Sequence, residues 1–326
     1  MRDDPSSRSE ERLISDVTSV SLHDRYVGTL LGLACGDALG GPVEFVKRDE
    51  IEARFPNGVS EFIGGGWLRL APGEVTDDTQ QALILAESLT TSGLDLDRFA
   101  AGLIAWFRGN PKDVGNTTRI ALEALAAGTP PLEAGAMALA ARGERSAAAN
   151  GAVMRCAPVA LRFRRDANRL VRASMDSARV THAEARASWG TVAVNQAIVH
   201  LLEGGAIAKA AAAAVVGIPN REVCEAVRSA AGRRGHEVRS GGFVLETIGA
   251  SFWSLLNAGS AREAIEMAVA LGDDADSTGA VTGALAGAAY GVSALPTAWV
   301  ETVQFRERLV SEAVRLLALS EPDAEY

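Results

Sequence analysis

The stretch Gly272-Asp273-Asp274-Ala275-Asp276-Ser277-Thr278-Gly279-Ala280-Val281-Thr282-Gly283-Ala284-Leu285-Ala286-Gly287-Ala288-Ala289-Tyr290-Gly291 joins an acidic head to an uncharged run in which glycine returns every fourth residue. Four-residue spacing holds Gly279, Gly283, Gly287 and Gly291 on one face of a helix. A second run, Gly28, Gly32, Gly36 and Gly40, has the same period near the start of the chain. Glycine costs a helix about 1 kcal/mol per position relative to alanine, so two such stripes need close approach to compensate. The two helices are therefore expected to pack glycine face to glycine face. If they run antiparallel, Asp37 and Glu44 at the end of the first lie beside Asp274 and Asp276 at the start of the second.

The acidic head crowds hard oxygen donors, Asp273, Asp274, Asp276, Ser277 and Thr278, at one helix start. A single Asp or Ser there is an ordinary cap. Another acidic start, Thr76-Asp77-Asp78-Thr79-Gln80-Gln81, precedes the apolar run 82–86. Two helix starts with paired acids hold more carboxylate than capping requires. If Asp77, Asp78, Asp274 and Asp276 converge, four negative charges match two divalent cations, Mg²⁺ or Mn²⁺, with Thr76 and Ser277 as neutral oxygens.

The rest of the chain reads as helix. Apolar periodicity predicts helices over 24–39, 79–89, 96–108, 117–127, 131–141, 153–163, 169–180, 186–202, 206–216, 221–231, 243–256, 261–270 and 300–317. Gly-rich residues 58–73 are expected to form a minor hairpin or an ordered loop. Linkers are short, so residues 21–320 are expected to form one all-α domain, between a disordered tail at 1–20 and a short tail at 321–326. Trp189, Trp253 and Trp299 fall on apolar helix faces and are expected in the core.

Composition sets limits on function. Of 326 residues 48% are hydrophobic, enough for a large core, and the net charge of −9 argues against an extended nucleic-acid surface. Residues 277–300 carry no charge, yet they are rich in Gly, Ala, Ser and Thr and contain Pro296, which favours a buried helix over a membrane span. Cys35, Cys156 and Cys224 are widely spaced, with no CxxC pair, so a reducing cytoplasm is the expected setting.

Four segments in order, Gly36-Asp37-Ala38-Leu39-Gly40 leading to Glu44, Thr76-Asp77-Asp78-Thr79, Asn150-Gly151-Ala152-Val153-Met154-Arg155 with Pro158, and 272–279, resemble the ADP-ribosylglycohydrolase family. Within it the chain resembles the dinitrogenase reductase-activating type. The resemblance implies an all-α fold, two divalent cations, ADP-ribosylated protein as substrate and ADP-ribose as product. By motif position it implies Thr76, Asp77, Asp78, Asp274, Asp276 and Ser277 as metal ligands. Glu44 then lies at the mouth of the site, and Asn150, Gly151 and His182 lie near the ligand.

Asp273 stands where the family usually has glycine, and Ala148-Ala149 precede Asn150 where a glycine is common. Ser277-Thr278-Gly279 sides with arginine-directed members. Other linkages, to serine, to an acetyl ester of ADP-ribose or to a nucleobase, are the alternative, as is a non-catalytic binding protein.

Residue chemistry adds the remaining candidates. Gly115 and Asn116 open a helix whose free N–H groups suit a pyrophosphate, and Arg155 is placed to reach a phosphate or pair with an acid. Glu44, Asp77, Asp78 and Asp276 are the candidate catalytic acids, one of them accepting the proton of water.

Overall fold

The computed structural model describes residues 20–321. In chain order the helices are α1 (Leu22–Gly40), α2 (Arg48–Arg54), α3 (Asp77–Glu87), α4 (Leu96–Arg108), α5 (Asn116–Ala126) and α6 (Pro131–Ala147). Next come α7 (Ala157–Phe163), α8 (Ala167–Arg179), α9 (Ala185–Leu202), α10 (Ala210–Ala214) and α11 (Arg221–Arg228). The last are α12 (Val244–Asn257), α13 (Ala261–Ala270), α14 (Ala275–Tyr290), α15 (Thr297–Thr302) and α16 (Arg306–Ser320). The described residues form no sheet, only isolated bridges such as Lys47 with Gly272 and Ala149 with Phe243. Residues 1–19 and 322–326, which hold most of the two expected tails, lie outside the described residues.

The two glycine-striped helices are the axis of the molecule. Beyond their ends neither presents an exposed polar face, which a helix tolerates only when neighbours surround it. Every residue of α1 from Tyr26 to Gly40 is buried, as is every residue of α14 from Ala275 to Ala288. They run antiparallel with Gly28 against Gly287, Gly32 against Gly283 and Gly36 against Gly279. A Cβ placed on Gly36 would lie 1.9 Å from the Gly279 carbonyl oxygen, and one on Gly283 would lie 1.9 Å from that of Gly32. The backbones thus touch directly, which offsets the helix propensity that glycine forfeits. α9, α12 and α13 pack around α14, and α16 lies along α1.

Where element bounds differ from the periodicity, local chemistry explains the difference. The expected helix 153–163 begins only at Ala157, because Pro158 marks a first turn and 151–155 form turns leading to it. The alanine tract 206–216 is a 3₁₀ turn followed by five α residues, cut short between Gly205 and Gly217. The expected helix 300–317 is two helices, broken where Phe305 adopts a left-handed φ of 61°. Residues 58–73 are an ordered loop with one bridge, Gly65 to Leu70, and no strand. Trp299 is buried, whereas Trp189 and Trp253 pack at the edge of the core. No helix among the described residues is long and apolar enough to cross a membrane.

Candidate active site

The antiparallel axis carries the end of α1 to the start of α14. A 3₁₀ turn, Gly41–Val43, follows α1 and delivers Glu44. The segment after it is pinned to the acidic loop, since Phe45 N–H donates to the Asp273 carbonyl (2.5 Å) and Asp273 N–H donates to the Val46 carbonyl (2.9 Å). As a result one carboxylate oxygen each of Glu44, Asp274 and Asp276 lies within 4.8 Å of the others.

α3 is brought to the same point by Asp37. Thr76, its N-cap, makes no capping bond to its own helix. Instead the buried Asp37 carboxylate, reaching from α1, accepts from the Thr76 and Thr79 N–H groups (2.9 and 3.1 Å) and from both hydroxyls (2.8 and 2.5 Å). These are the orphan donors of a helix start. Asp77 and Asp78 are thereby aimed into a cavity of about 320 Å³.

Glu44, Asp77, Asp78, Asp274, Asp276 and Ser277 all line that cavity, together with Gly115, Asn116, Asn150, Gly151 and His182. Of the remaining candidates, Thr76 lies just behind it, its hydroxyl bonded to Asp37 and within 3.2 Å of Asp78. Arg155 does not line it. Its fully buried guanidinium lies over the Phe99 ring (5.4 Å) and donates to Gln81 Oε1 and to Thr181 Oγ1 (2.6 Å). Gln81 in turn donates to Asp77 Oδ2 (2.8 Å), and Thr181 bonds His182 Nδ1 (2.8 Å). Arg155 therefore braces an acid and the histidine from behind.

Asn150 is held in the same manner. Its amide donates to Asp274 Oδ2 and to Thr247 Oγ1, both at 3.0 Å. Gly151 has no room for a side chain, since a Cβ would meet His182 Cε1 at 2.8 Å. Burial, with Arg155 and Arg142 nearby, lowers the His182 pKa to about 3, so its imidazole is neutral.

Several cavity residues escaped the sequence reading. Asp113 lines it, and its only signal was a position two residues before the Gly115-Asn116 helix start. Arg142, the one cationic guanidinium on the cavity wall, sits on α6 just before Gly143 breaks the helical geometry (φ 74°, ψ 158°), and no motif marks it. Phe45 lies at the mouth in a left-handed conformation. Asp273, by contrast, turns away: it occupies a left-handed φ of 52°, which favours glycine, and pairs with Lys47 at 2.5 Å outside the cavity.

The acids repel one another. Burial first, then neighbouring carboxylates, raises Asp77, Asp78 and Asp276 well above the ordinary range, and burial raises Glu44 to about 8 and Asp37 to about 6. One buried oxygen, Asp78 Oδ1, has no hydrogen-bond partner. A crowded, oxygen-only donor set with an orphaned carboxylate oxygen fits hard divalent cations such as Mg²⁺ or Mn²⁺.

The metal-free protein has a predictable pH dependence. Carboxyls whose folded pKa is raised bind more protons folded than unfolded, so their contribution is fully present below the unfolded value near ~4 and is lost as pH rises through the folded values. For Glu44 that loss extends to about 8. Chelator-treated protein should melt at lower temperature at about pH 8.5 than at about pH 5.5. A melting temperature independent of pH, or rising with it, would contradict this electrostatic description.

A larger cavity, about 630 Å³ between α3 and α4, is lined by Leu83, Ile84, Ala101 and Trp106. Its Glu87 and Arg308 satisfy each other at 2.5 Å, and it has no carboxylate cluster. Chemistry, and not size, identifies the site.

An all-helical fold whose acidic cavity lies where two helix starts meet defines a class, and comparison with known proteins agrees with it. The profile of the ADP-ribosylglycohydrolase family matches residues 18–325, and the chain belongs to that family. It is a hydrolase of the glycosidase type.

It is 34% identical to ADP-ribosylarginine hydrolase Tri1 of Serratia proteamaculans over 93% of this chain and 81% of that protein. It is 32% identical to the ADP-ribosyl-[dinitrogen reductase] glycohydrolase of Rhodospirillum rubrum over 93% of this chain and 99% of that one. A solved structure of an ADP-ribosylglycohydrolase-related protein complex superposes with a TM-score of 0.79 at 33% identity, covering 92% of this chain and 99% of that one.

Proposed function

We propose that this enzyme removes ADP-ribose from arginine side chains of modified proteins in the cytoplasm, using two divalent cations, Mg²⁺ or Mn²⁺. The observation that carries the reading is the convergence of Glu44, Asp77, Asp78, Asp274 and Asp276 on one cavity, with Asp78 Oδ1 unpartnered. Asp77, Asp78, Asp274 and Asp276 would hold the cations, with Thr76 and Ser277 supplying neutral oxygens. When bound, the cations fix ribose hydroxyls and acidify a water.

The chain's own residues account for the rest. Asn150 and Gln81 hold Asp274 and Asp77 in fixed orientation, so the acids stay close despite their repulsion. Their negative field favours the oxocarbenium-like charge that develops on the ribose as its C–N bond breaks. A carboxylate, Glu44 or one of the aspartates, takes the proton of the attacking water, and that proton ends on the departing guanidine.

Away from the acids, the first N–H groups of α5 at Gly115 and Asn116, the Asn150-Gly151 turn and the Arg142 guanidinium form the polar wall suited to a pyrophosphate. The arginine linkage is supported by Ser277-Thr278-Gly279 and by the name of the relative at 34% identity. A cationic guanidinium also suits an acidic mouth that holds Glu44 and Asp113.

The test is to incubate the enzyme with ADP-ribosyl-arginine protein and with ADP-ribosyl-serine peptide, each with Mg²⁺, Mn²⁺ or EDTA, and score free ADP-ribose. Release from arginine alone, abolished by EDTA, is expected. Release from serine overturns the linkage, and release that persists in EDTA overturns the role of the cations.

A further inference from the structure

Glu44 sits beside Asp274 and Asp276, whose charges push it outward, so something must hold it in place. Its side chain has one hydrogen-bond donor among the described residues: Trp67 Nε1–H, 2.7 Å from Oε2. The indole is 52% exposed, unusual for the largest apolar side chain, and Phe45, 63% exposed, tilts against it with ring centroids 5.7 Å apart. Phe45 holds this place at a φ of 61°, a conformation disfavoured for a bulky residue.

The loop that carries Trp67 is fitted to the turn that carries Glu44. A Cβ on Gly66 would meet Pro42 Cα and O at 2.9 Å, and one on Gly41 would meet the Leu70 side chain at 2.6 Å. Loop and turn therefore approach closely, backbone to backbone at Gly66 and Pro42, which keeps the indole within reach of the carboxylate. Neither exposed ring, Phe45 or Trp67, packs against the hydrophobic core. The arrangement fixes which oxygen of Glu44 is engaged at the rim, Oε2.

We infer that Trp67 is a positioning residue, whose indole N–H holds Glu44 over the cavity in the geometry that hydrolysis requires. The inference rests on the proposed hydrolase reading for its kinetic consequence, and its structural half can be tested without it. A purely structural indole would be replaced by phenylalanine with little effect, since the ring would remain.

The experiment combines kinetics with the Trp67 indole resonance. Trp67→Phe should lower kcat about 10-fold, the loss of one positioning hydrogen bond, with KM nearly unchanged. In a Glu44→Ala background the same change should cost nothing more, because its target is gone. Full kcat in Trp67→Phe, or the same loss in both backgrounds, overturns the inference.

The indole N–H resonance of Trp67, assigned by its disappearance in Trp67→Phe, should shift and exchange faster with solvent in Glu44→Ala. An unmoved resonance overturns the pairing itself. This readout holds even if the enzyme releases ADP-ribose from no substrate offered, so failure of the hydrolase reading is distinguishable from failure of this one.

Discussion

Asp276→Ala is expected to lose activity by at least ~1000-fold and to lose metal binding with it. Asp276 is 2% exposed in the first turn of α14, and its Oδ1 accepts from the Ser277 N–H at 2.8 Å, which leaves its other oxygen for the cavity. Alanine would remove a proposed ligand that no neighbour is free to replace, because Asp274 is held by Asn150 and Asp77 by Gln81.

The same substitution should have the opposite effect on the metal-free protein. Burial and the charges of Glu44, Asp78 and Asp274 raise the Asp276 pKa, so the ionised form is unfavourable in the empty site. Removing it should raise the melting temperature in EDTA, while the rise expected of the parent protein in saturating Mn²⁺ should be absent from the variant. Calorimetric titration with Mn²⁺ and thermal melts measure both. Unchanged Mn²⁺ affinity in Asp276→Ala would remove Asp276 from the ligand set.

Gly283→Val is expected to prevent folding. Gly283 is at the middle of the α1–α14 contact, where a Cβ would lie 1.9 Å from the Gly32 carbonyl oxygen and 2.5 Å from its carbon. The obstruction is backbone, so no side chain can turn aside. The two helices must separate along the whole interface, opening contacts on every helix packed around them.

Overpacking of a tight core costs about 1–3 kcal/mol where side chains adjust, and a backbone clash at the axis should exceed ~5 kcal/mol, much of a typical domain's stability. Gly232→Ala is the control: no heavy atom lies within 4 Å of its added Cβ, and its φ is not positive. It should change stability by no more than about 0.5 kcal/mol. Soluble, normally melting Gly283→Val protein would show that the helices tolerate a wider separation than their glycines imply.

The glycine periods were legible because a four-residue spacing on a helix has a single geometric meaning, one face, and because glycine is too costly there without a close neighbour. The acidic helix starts were legible for a related reason, since paired acids at a helix start exceed what capping needs. From these came the face-to-face packing of the two helices and, on the condition of an antiparallel course that the structure meets, the arrival of Glu44 beside Asp274 and Asp276.

Other features depend on segments far apart in the chain. Asp37 caps α3 from another helix across 39 residues, and nothing in its own neighbourhood announces that. Arg155 follows the Asn-Gly motif and so invites a phosphate role, yet its rotamer turns it inward to Gln81 and Thr181. Asp113 and Arg142 reach the cavity wall from α5's entry and α6's kink, and Trp67 reaches Glu44 from a loop with no periodicity to read.

What the sequence determined by itself was therefore the periodic and the local: helix faces, helix starts and the charge gathered there. The tertiary structure alone decided which distant side chains restrain those charges, because a hydrogen bond between remote segments depends on their approach to within about 3 Å, a distance set by packing and not by order in the chain.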